Sequence, residues 1–455
     1  MPSPNLPFAS SGQRTLLFGG TILTMDSDFR VIPEGEILLQ GGKIIALGRN
    51  LTLLPGTRLV DISGQLVLPG LIQGHVHFGQ TFFRGLGEGR KLLPWLKERI
   101  WPLEAAHDDE SAYWCGLQGA AEALLSGTTT VQDIGLGPGA AGLVKAIRES
   151  RLGGFAGKCL MDSGDALPAG LLEETDACLA DTESLGDRQP SGSLRYALNP
   201  RFILTCSDAL LRGVRELADR RDWPVHIHAL EQQEEVAAVK AQKNGRDEIE
   251  YFDDEGLLDV DLRIAHGVWL GDEHYRRLAG RRFSVIHCPS ANLKLGSGVA
   301  DVVAHRSAGI PVGLGCDGVA CNNGLDALAE IRLAALLQAN HQGPDRFSSR
   351  DALSLATIDG ARALGLEDEI GSIEIGKRAD LLVLSPDRPE MWAAPGVDPH
   401  DLVAFSASRA NVSRVLIGGE SVVEDGRLVH LDLEEIRQNA SRQLDALLKR
   451  SGIEL

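Results

Sequence analysis

The sequence predicts an α/β protein, a (β/α)8 barrel with a β-rich piece at each end of the chain. Three observations carry that expectation. The 455 residues amount to about two to three domains' worth of chain, or one large barrel with an appendage. Between about Pro69 and Gly365, apolar strand segments alternate with longer helical ones, which favours right-handed crossovers and a parallel sheet. About eight of the strand segments end in a polar cluster, and that number favours a closed barrel over an open doubly wound sheet.

Taken in order, Thr15–Leu68 reads as short strands with two-residue alternation and tight turns at Gly19-Gly20 and Gly41-Gly42. After Pro69 the pattern changes. TTTVQDIG is followed by a helix over GAAGLVKAIRESRLG, RYALNPRFIL by DALLRGVRELADRRD, PVHIHAL by QQEEVAAVKAQ, LRIAHGVWL by DEHYRRLAG, and FSVIHCP by VADVVAHRSAG before PVGLGCDG. Beyond Ala361 come β-like pieces, GSIEIGKRADLLVLSP and SRVLIGGESVVEDGRLVHLD, then an amphipathic helix over Leu433–Lys449. The expected division is residues 1–68, the barrel 69–365, and 366–455, with the two flanking pieces able to form one small composite domain.

A hydrophobic content of 43% with 24% charged residues is that of an ordinary globular protein. A net charge of −18, from 63 acidic and 45 basic residues, argues against a partner that is nucleic acid or an anionic membrane surface. The run Met1–Thr15 lacks the apolar stretch of a secretory leader, and no segment approaches the roughly 18 apolar residues of a spanning helix, so a cytoplasmic enzyme is expected. Seven scattered cysteines without a C-x-x-C pair read as buried reduced thiols.

The sharpest local feature is Pro69-Gly70-Leu71-Ile72-Gln73-Gly74-His75-Val76-His77, an apolar strand ending in His-x-His. Strand positions two apart face the same side, so both imidazoles can point into the barrel mouth and bind one cation. The plain alternative is two hydrogen-bonded surface histidines. Three further polar strand ends favour the cation: His226-Ile227-His228, His266 and Asp317, because sites in such barrels are assembled from the C-terminal ends of several strands. His226 and His228 compete for one position. His228 is nearer the strand end, with Glu231 three residues on, which leaves His226 as a satisfied interior histidine. The expected ligands are His75, His77, His228 and Asp317, around one divalent metal ion, zinc before iron(II) or manganese.

Such a cation lowers the pKa of a bound water from near 16 toward ~7. Glu231 is then the proton shuttle. Asp317 orients the nucleophile, and His266 polarises the leaving side or holds the tetrahedral adduct. The plain reading of Glu231 is a solvated carboxylate at a helix start, beside Glu234 and Glu235.

The blocks PGLIQGHVH, HIHALE, RIAHGVWL, HCPSANLKLGSG and GLGCDGVACNNGLDALAEIRLAAL, with the flanking GSIEIGKRADLLVL, resemble those of amidohydrolase-superfamily aminohydrolases nearly end to end. The resemblance implies a (β/α)8 TIM barrel with a small β-sandwich domain formed by both chain ends. It also implies the same four metal ligands, Glu231 as shuttle and His266 as catalytic histidine. Asn322-Asn323 and the stretch from Arg84-Gly85 to Glu104 look like 5′-deoxyadenosine, methylthioadenosine and S-adenosylhomocysteine deaminases. That implies substrate contacts by Trp95 and by Glu104, the latter on ribose hydroxyls, against the plain reading of a helix-end carboxylate.

Binuclear relatives carry a carbamylated lysine, and Arg195–Phe202 holds none, which implies one metal; Lys158 is a weaker contender. Adenosylhomocysteine enzymes use arginines for the amino-acid carboxylate, and Ser163–Thr175 has neither Arg nor Lys, so a neutral 5′ group is implied. Asn199-Pro200-Arg201-Phe202 and Gln80 also resemble guanine deaminase, where such side chains contact the purine, although the Pro-Arg-Phe is shared with sequences resembling 5′-deoxyadenosine deaminases. A structural salt bridge is the plain reading of Arg201.

The expected activity is hydrolytic deamination of an adenine nucleoside of 5′-deoxyadenosine or methylthioadenosine type, releasing ammonia. Guanine deamination and triazine aminohydrolysis or chlorohydrolysis are the alternatives for the same ligand set. A purine-binding scaffold without catalysis would be expected to lack one of His75, His77, His228, Glu231 or Asp317, and all five are present. The partner is therefore a small purine or aza-aromatic substrate, and the resemblance allows a homo-oligomer.

Overall fold

The computed structural model describes residues 13–189 and 192–453; most of the Met1–Thr15 run lies outside the described residues. The strands, in order, are β1 (Arg14–Leu23), β2 (Val31–Gln40), β3 (Lys43–Gly48), β4 (Arg58–Asp61), β5 (Leu66–Pro69), β6 (Leu71–Val76), β7 (Thr128–Asp133), β8 (Gly153–Ala156), β9 (Cys159–Leu160), β10 (Leu194–Tyr196), β11 (Asn199–Pro200), β12 (Val225–Ala229), β13 (Leu262–His266), β14 (Phe283–His287), β15 (Val312–Leu314), β16 (Leu381–Leu384), β17 (Val412–Ile417), β18 (Glu420–Glu424) and β19 (Arg427–Leu428).

Strands from both chain ends share one nine-stranded sheet, ordered β19-β18-β17-β16-β5-β1-β2-β3 with β4 on β1. The two ends meet where β5 runs antiparallel to β16, Leu66 opposite Leu384 and Pro69 opposite Leu381. This sheet buries its own apolar cluster, including Leu17, Ile37, Ile44, Val67, Leu381 and Val383. The GSIEIGKR piece expected to be β-like is mostly irregular: Gly371 and Gly376 take φ +89 and +96, turning the chain, and the strand starts only at Leu381.

The middle of the chain holds two parallel four-stranded sheets, β10-β8-β7-β6 and β12-β13-β14-β15, with β11-β9 as a separate pair. Strands β6, β7, β13 and β14 are buried at every residue, as parallel strands covered on both faces must be. Backbone bridges link the sheets at both edges, Leu198 to Val225 and Val76 to Asp317. RYALNPRFIL is not one strand; β10 gives way to β11, whose pairing ends at Pro200, a residue with no N–H to donate.

The crossover helix Asp208–Arg221 shows how sequence sets the covering layer. Ser207 caps its start by accepting from the Leu210 N–H, and Leu210, Leu211, Val214, Leu217 and Ala218 are its buried positions, one stripe at helical spacing. Among the described residues no helix is long and apolar enough to cross a membrane. All seven cysteines are buried and free, as their spacing suggests.

A candidate metal and catalytic centre at the strand ends

The C-terminal ends of β6, β12, β13 and β15 bring His75, His77, His228, His266 and Asp317 together. Ligand atoms of His75, His77 and His228 lie within 4.8 Å of one another, as do those of His75, His266 and Asp317. Asp317 Oδ1 is 3.3 Å from His75 Nε2 and 3.2 Å from His77 Nε2, and His77 Nε2 is 3.1 Å from His228 Nε2. Every one of these side chains is buried or nearly so.

Close approach at β15 depends on glycine. A Cβ on Gly315 would stand 2.7 Å from the His75 carbonyl, and one on Gly318 would stand 2.2 Å from Gln80 Oε1. His266 and Asp317 both hold left-handed backbone, φ +76 and +60. That conformation costs about 1–3 kcal/mol per residue and aims both side chains at the cluster.

The hydrogen bonds behind His228 and His75 prepare these two imidazoles as ligands. His228 Nδ1 lies 2.7 Å from the Arg201 carbonyl, which can only accept, so the proton sits on Nδ1 and Nε2 is bare. His75 Nδ1 contacts His226 Nε2 at 2.7 Å, and His75 Nε2 is buried with no hydrogen-bond partner. Buried unpartnered nitrogens facing a carboxylate are costly without an occupant, and three imidazoles with one carboxylate suit a divalent cation. The residues present therefore fit a metal ion. Burial, followed by the neighbouring imidazoles, holds the pKa of His228 well below the usual histidine range. For Asp317 burial acts upward, but the adjacent His75 and the other surrounding histidines outweigh it, and its pKa falls well below the ordinary value.

Glu231 sits on the turn after β12, where Leu230 takes φ +56. The carboxylate of Glu235 accepts the N–H groups of Glu231 and Gln232 at 2.9 and 3.2 Å, fixing the turn. The Glu231 carboxyl receives the Ser297 hydroxyl at 3.1 Å and lies 3.4 Å from His266 Nε2. Burial first, then the charges of Glu235 and Asp317, raise its pKa well above the ordinary carboxylate value. Asn292 Nδ2 approaches His266 Nδ1 at 3.0 Å; with the amide donating there, His266 presents Nε2–H toward Glu231. Burial pushes the His266 pKa down to about 3.

Gln80, Glu104 and Arg201 form one buried group. Gln80 Nε2 donates to Glu104 Oε1 at 2.9 Å and lies 3.1 Å from His77 Nδ1, while Arg201 Nη1 donates to Glu104 Oε2 at 2.5 Å. Arg201 lines the cavity in front of the cluster, together with Leu92, Trp95, Leu96, Phe202 and Leu295. Lys158 is elsewhere engaged, 2.5 Å from Glu173 and 2.8 Å from Asp181. Asn323 sits at the surface, its side chain bound to Glu88 and Lys294, and Asn322 ties Glu330 to the Cys316 carbonyl.

Sequence reading did not single out Asn292, Ser297 or Glu235. The first two stand in the quoted block HCPSANLKLGSG, but nothing local shows that they meet His266 and Glu231.

The arrangement of strand ends and side chains has known counterparts. Residues 66–422 match the model of the amidohydrolase family, and the chain belongs to that family, whose structures share a TIM-barrel-like α/β fold. It is similar to a 5′-deoxyadenosine deaminase of Methanobrevibacter smithii, 33% identical over 439 residues that cover 96% of this chain and 99% of the relative. It is also similar to a 5-methylthioadenosine/S-adenosylhomocysteine deaminase of Bacillus cereus, 35% identical over 437 residues, 94% of this chain and 98% of the relative. Among solved structures, an adenosine deaminase of Xanthomonas campestris with bound zinc superposes with a TM-score of 0.89 at 29% identity, covering 96% of this chain and 99% of that one.

Proposed function

We propose that this protein is a hydrolytic deaminase of adenine nucleosides whose 5′ carbon carries a small neutral group, as in 5′-deoxyadenosine or methylthioadenosine. The observation that carries the chemistry is Glu231: a buried carboxyl 3.4 Å from His266 Nε2 and bound by the Ser297 hydroxyl, beside a cluster of imidazoles and a carboxylate that fits a cation. His75, His77, His228 and Asp317 would hold one divalent ion, zinc in the first instance, which when bound would supply the Lewis acidity that makes water nucleophilic at neutral pH. Glu231 takes a proton from the water attacking C6 and passes it to the adjacent ring nitrogen; it then takes the proton of the hydroxyl added at C6 and delivers it to the departing amine, so that C6 becomes a carbonyl and ammonia leaves. Asp317 orients the attacking water, and His266 stabilises the oxygen added at C6 through Nε2–H.

Two observations support the nucleoside and its 5′ group. Glu104 is a buried carboxylate held by Gln80 and by the cavity-lining Arg201, which supports a role for it as acceptor of ribose hydroxyls. Trp95 packs with Leu92 and Leu96 in the cavity wall, and Lys158 is committed to two carboxylates, so an amino-acid tail finds no free cation there. Gln80 and Arg201 both hold Glu104, which favours a part in fixing that carboxylate over reading a guanine ring.

The eight parallel strand positions, bridged at both sheet edges, support a closed (β/α)8 barrel over residues 69–365. The shared nine-stranded sheet supports a β-sandwich domain drawn from 1–68 and 366–455. The test is a deamination screen over adenosine, 5′-deoxyadenosine, methylthioadenosine, adenosylhomocysteine, adenine, guanine and melamine, with metal analysis of the purified protein. Ammonia from 5′-deoxyadenosine and methylthioadenosine, abolished by chelation and restored by zinc, is expected; preference for guanine or melamine would overturn the reading.

A further inference from the structure

We infer that His226 is a positioning residue for the metal ligand His75, fixing which of its nitrogens carries the proton. His226 is fully buried in β12. Its Nδ1 lies 3.2 Å from the carbonyl of Arg263 and its Nε2 lies 2.7 Å from His75 Nδ1. A carbonyl oxygen only accepts, so His226 Nδ1 holds a proton. In the neutral ring its Nε2 is then an acceptor. His75 must donate from Nδ1, which leaves His75 Nε2 bare, 3.3 Å from Asp317 Oδ1. The opposite arrangement would put a proton on the nitrogen that must bind the cation.

The anchor of this relay does not move easily. Arg263 is paired in register with His226 across β12 and β13. Its guanidinium is held by Asp261 at 2.7 and 3.2 Å and by Gln132 at 3.2 Å, and it lies 4.3 Å from the centre of the Phe155 ring. The relay therefore runs from a sheet carbonyl through His226 to His75, a role that in other metal sites falls to a carboxylate or a carbonyl directly. His228, by contrast, is oriented by the carbonyl of Arg201 with no intermediary. Two ligands of one site are thus prepared by different devices.

This inference rests on the metal reading above, and the test separates the two. Zinc affinity is measured by chelator competition on the full chain, alongside circular dichroism. His226→Leu, which removes the acceptor, is expected to weaken zinc binding by about 10–100-fold with the KM for nucleoside little changed in the zinc-saturated enzyme. His226→Gln, whose amide oxygen can accept from His75, is expected to recover most of that affinity. Should His226→Leu fail to fold, nitrogen NMR of imidazole-labelled wild type still decides: His226 is expected protonated on Nδ1 alone. Wild-type affinity in a folded Leu variant, a Gln variant no better than Leu, or a proton on His226 Nε2 would each overturn the inference. A wild-type protein that binds no divalent metal would instead overturn the metal reading.

Discussion

Glu231 and the Glu104–Arg201 pair are the two places where a single side chain carries most of the proposed chemistry. Glu231→Gln keeps the shape and the Ser297 contact but cannot carry a proton. Turnover is expected to fall by about 10²–10⁴-fold with metal content unchanged, as read from ammonia release and metal analysis on the same preparation; near-normal turnover would remove Glu231 from proton transfer. Arg201 and Glu104 are buried together, so removing one leaves the other unpaired. Arg201→Met alone is expected to destabilise by about 3–5 kcal/mol in chemical denaturation, and the double variant with Glu104→Gln by clearly less. On activity, Glu104→Gln should cost far more with 5′-deoxyadenosine than with free adenine. Equal losses on both would contradict a sugar contact.

At the scale of elements, the segment in front of the site matters most. Leu92–Trp95 is a short α-turn, Leu96–Ile100 a π-turn and Trp101–Ala105 the helix that carries Glu104; π-turns often mark functional segments. The cavity they wall off is only about 20 Å³, against about 300–1,000 Å³ for ordinary ligand sites. Entry of a nucleoside is therefore expected to need movement of the wall, of which Leu92, Trp95 and Leu96 are part. Its outer tie is the Lys91–Glu234 pair, both side chains exposed, the kind of bridge that contributes little. Hydrogen exchange is expected to be faster over residues 92–100 than over β12 to β14, and to slow when nucleoside product is bound; protection equal to the strands in the free protein would argue for another route of access. Behind this segment the helix Leu433–Ser451 is a fixed support: Leu447 is fully buried in the cluster that includes Trp101 and Leu103, and Arg450 Nε donates to the Ala106 carbonyl at 2.8 Å.

For the whole molecule, buried carboxyls outside the site set part of the pH dependence of stability. Glu330 accepts from Ser290 N at 3.1 Å and Asn322 Nδ2 at 2.9 Å, yet burial raises its pKa from 4.5 to about 7. The folded state thus holds this proton more tightly than the unfolded chain. The stabilisation is full below pH 4.5 and is lost as pH rises through about 7. Glu330→Gln, which has no proton to lose, is expected to flatten that decline, by on the order of 2 kcal/mol between pH 5 and pH 8. Parallel stability curves for wild type and variant would show that Glu330 does not titrate in this range.

Much of this protein was legible in one dimension. Strand and helix periods are local properties of the chain, and His75-Val76-His77, His228, His266 and Asp317 declared themselves as polar ends of apolar strands. The covering helices likewise follow from stripes such as Leu210, Leu211, Val214, Leu217 and Ala218. What the chain order could not reveal is which side chain meets which, because that depends on strand order and register over long separations. His226 read as a spare interior histidine until sheet pairing set it 2.7 Å from His75, 151 residues away. Arg201 and Gln80 offered purine contacts or, for Arg201, a salt bridge, and only tertiary packing shows that both meet Glu104, as Lys158 meets Glu173 and Asp181. The ligand types belong to the sequence. Their protonation and partners are properties of the assembled sheets, since a hydrogen bond needs two groups within about 3 Å and only folding brings them there.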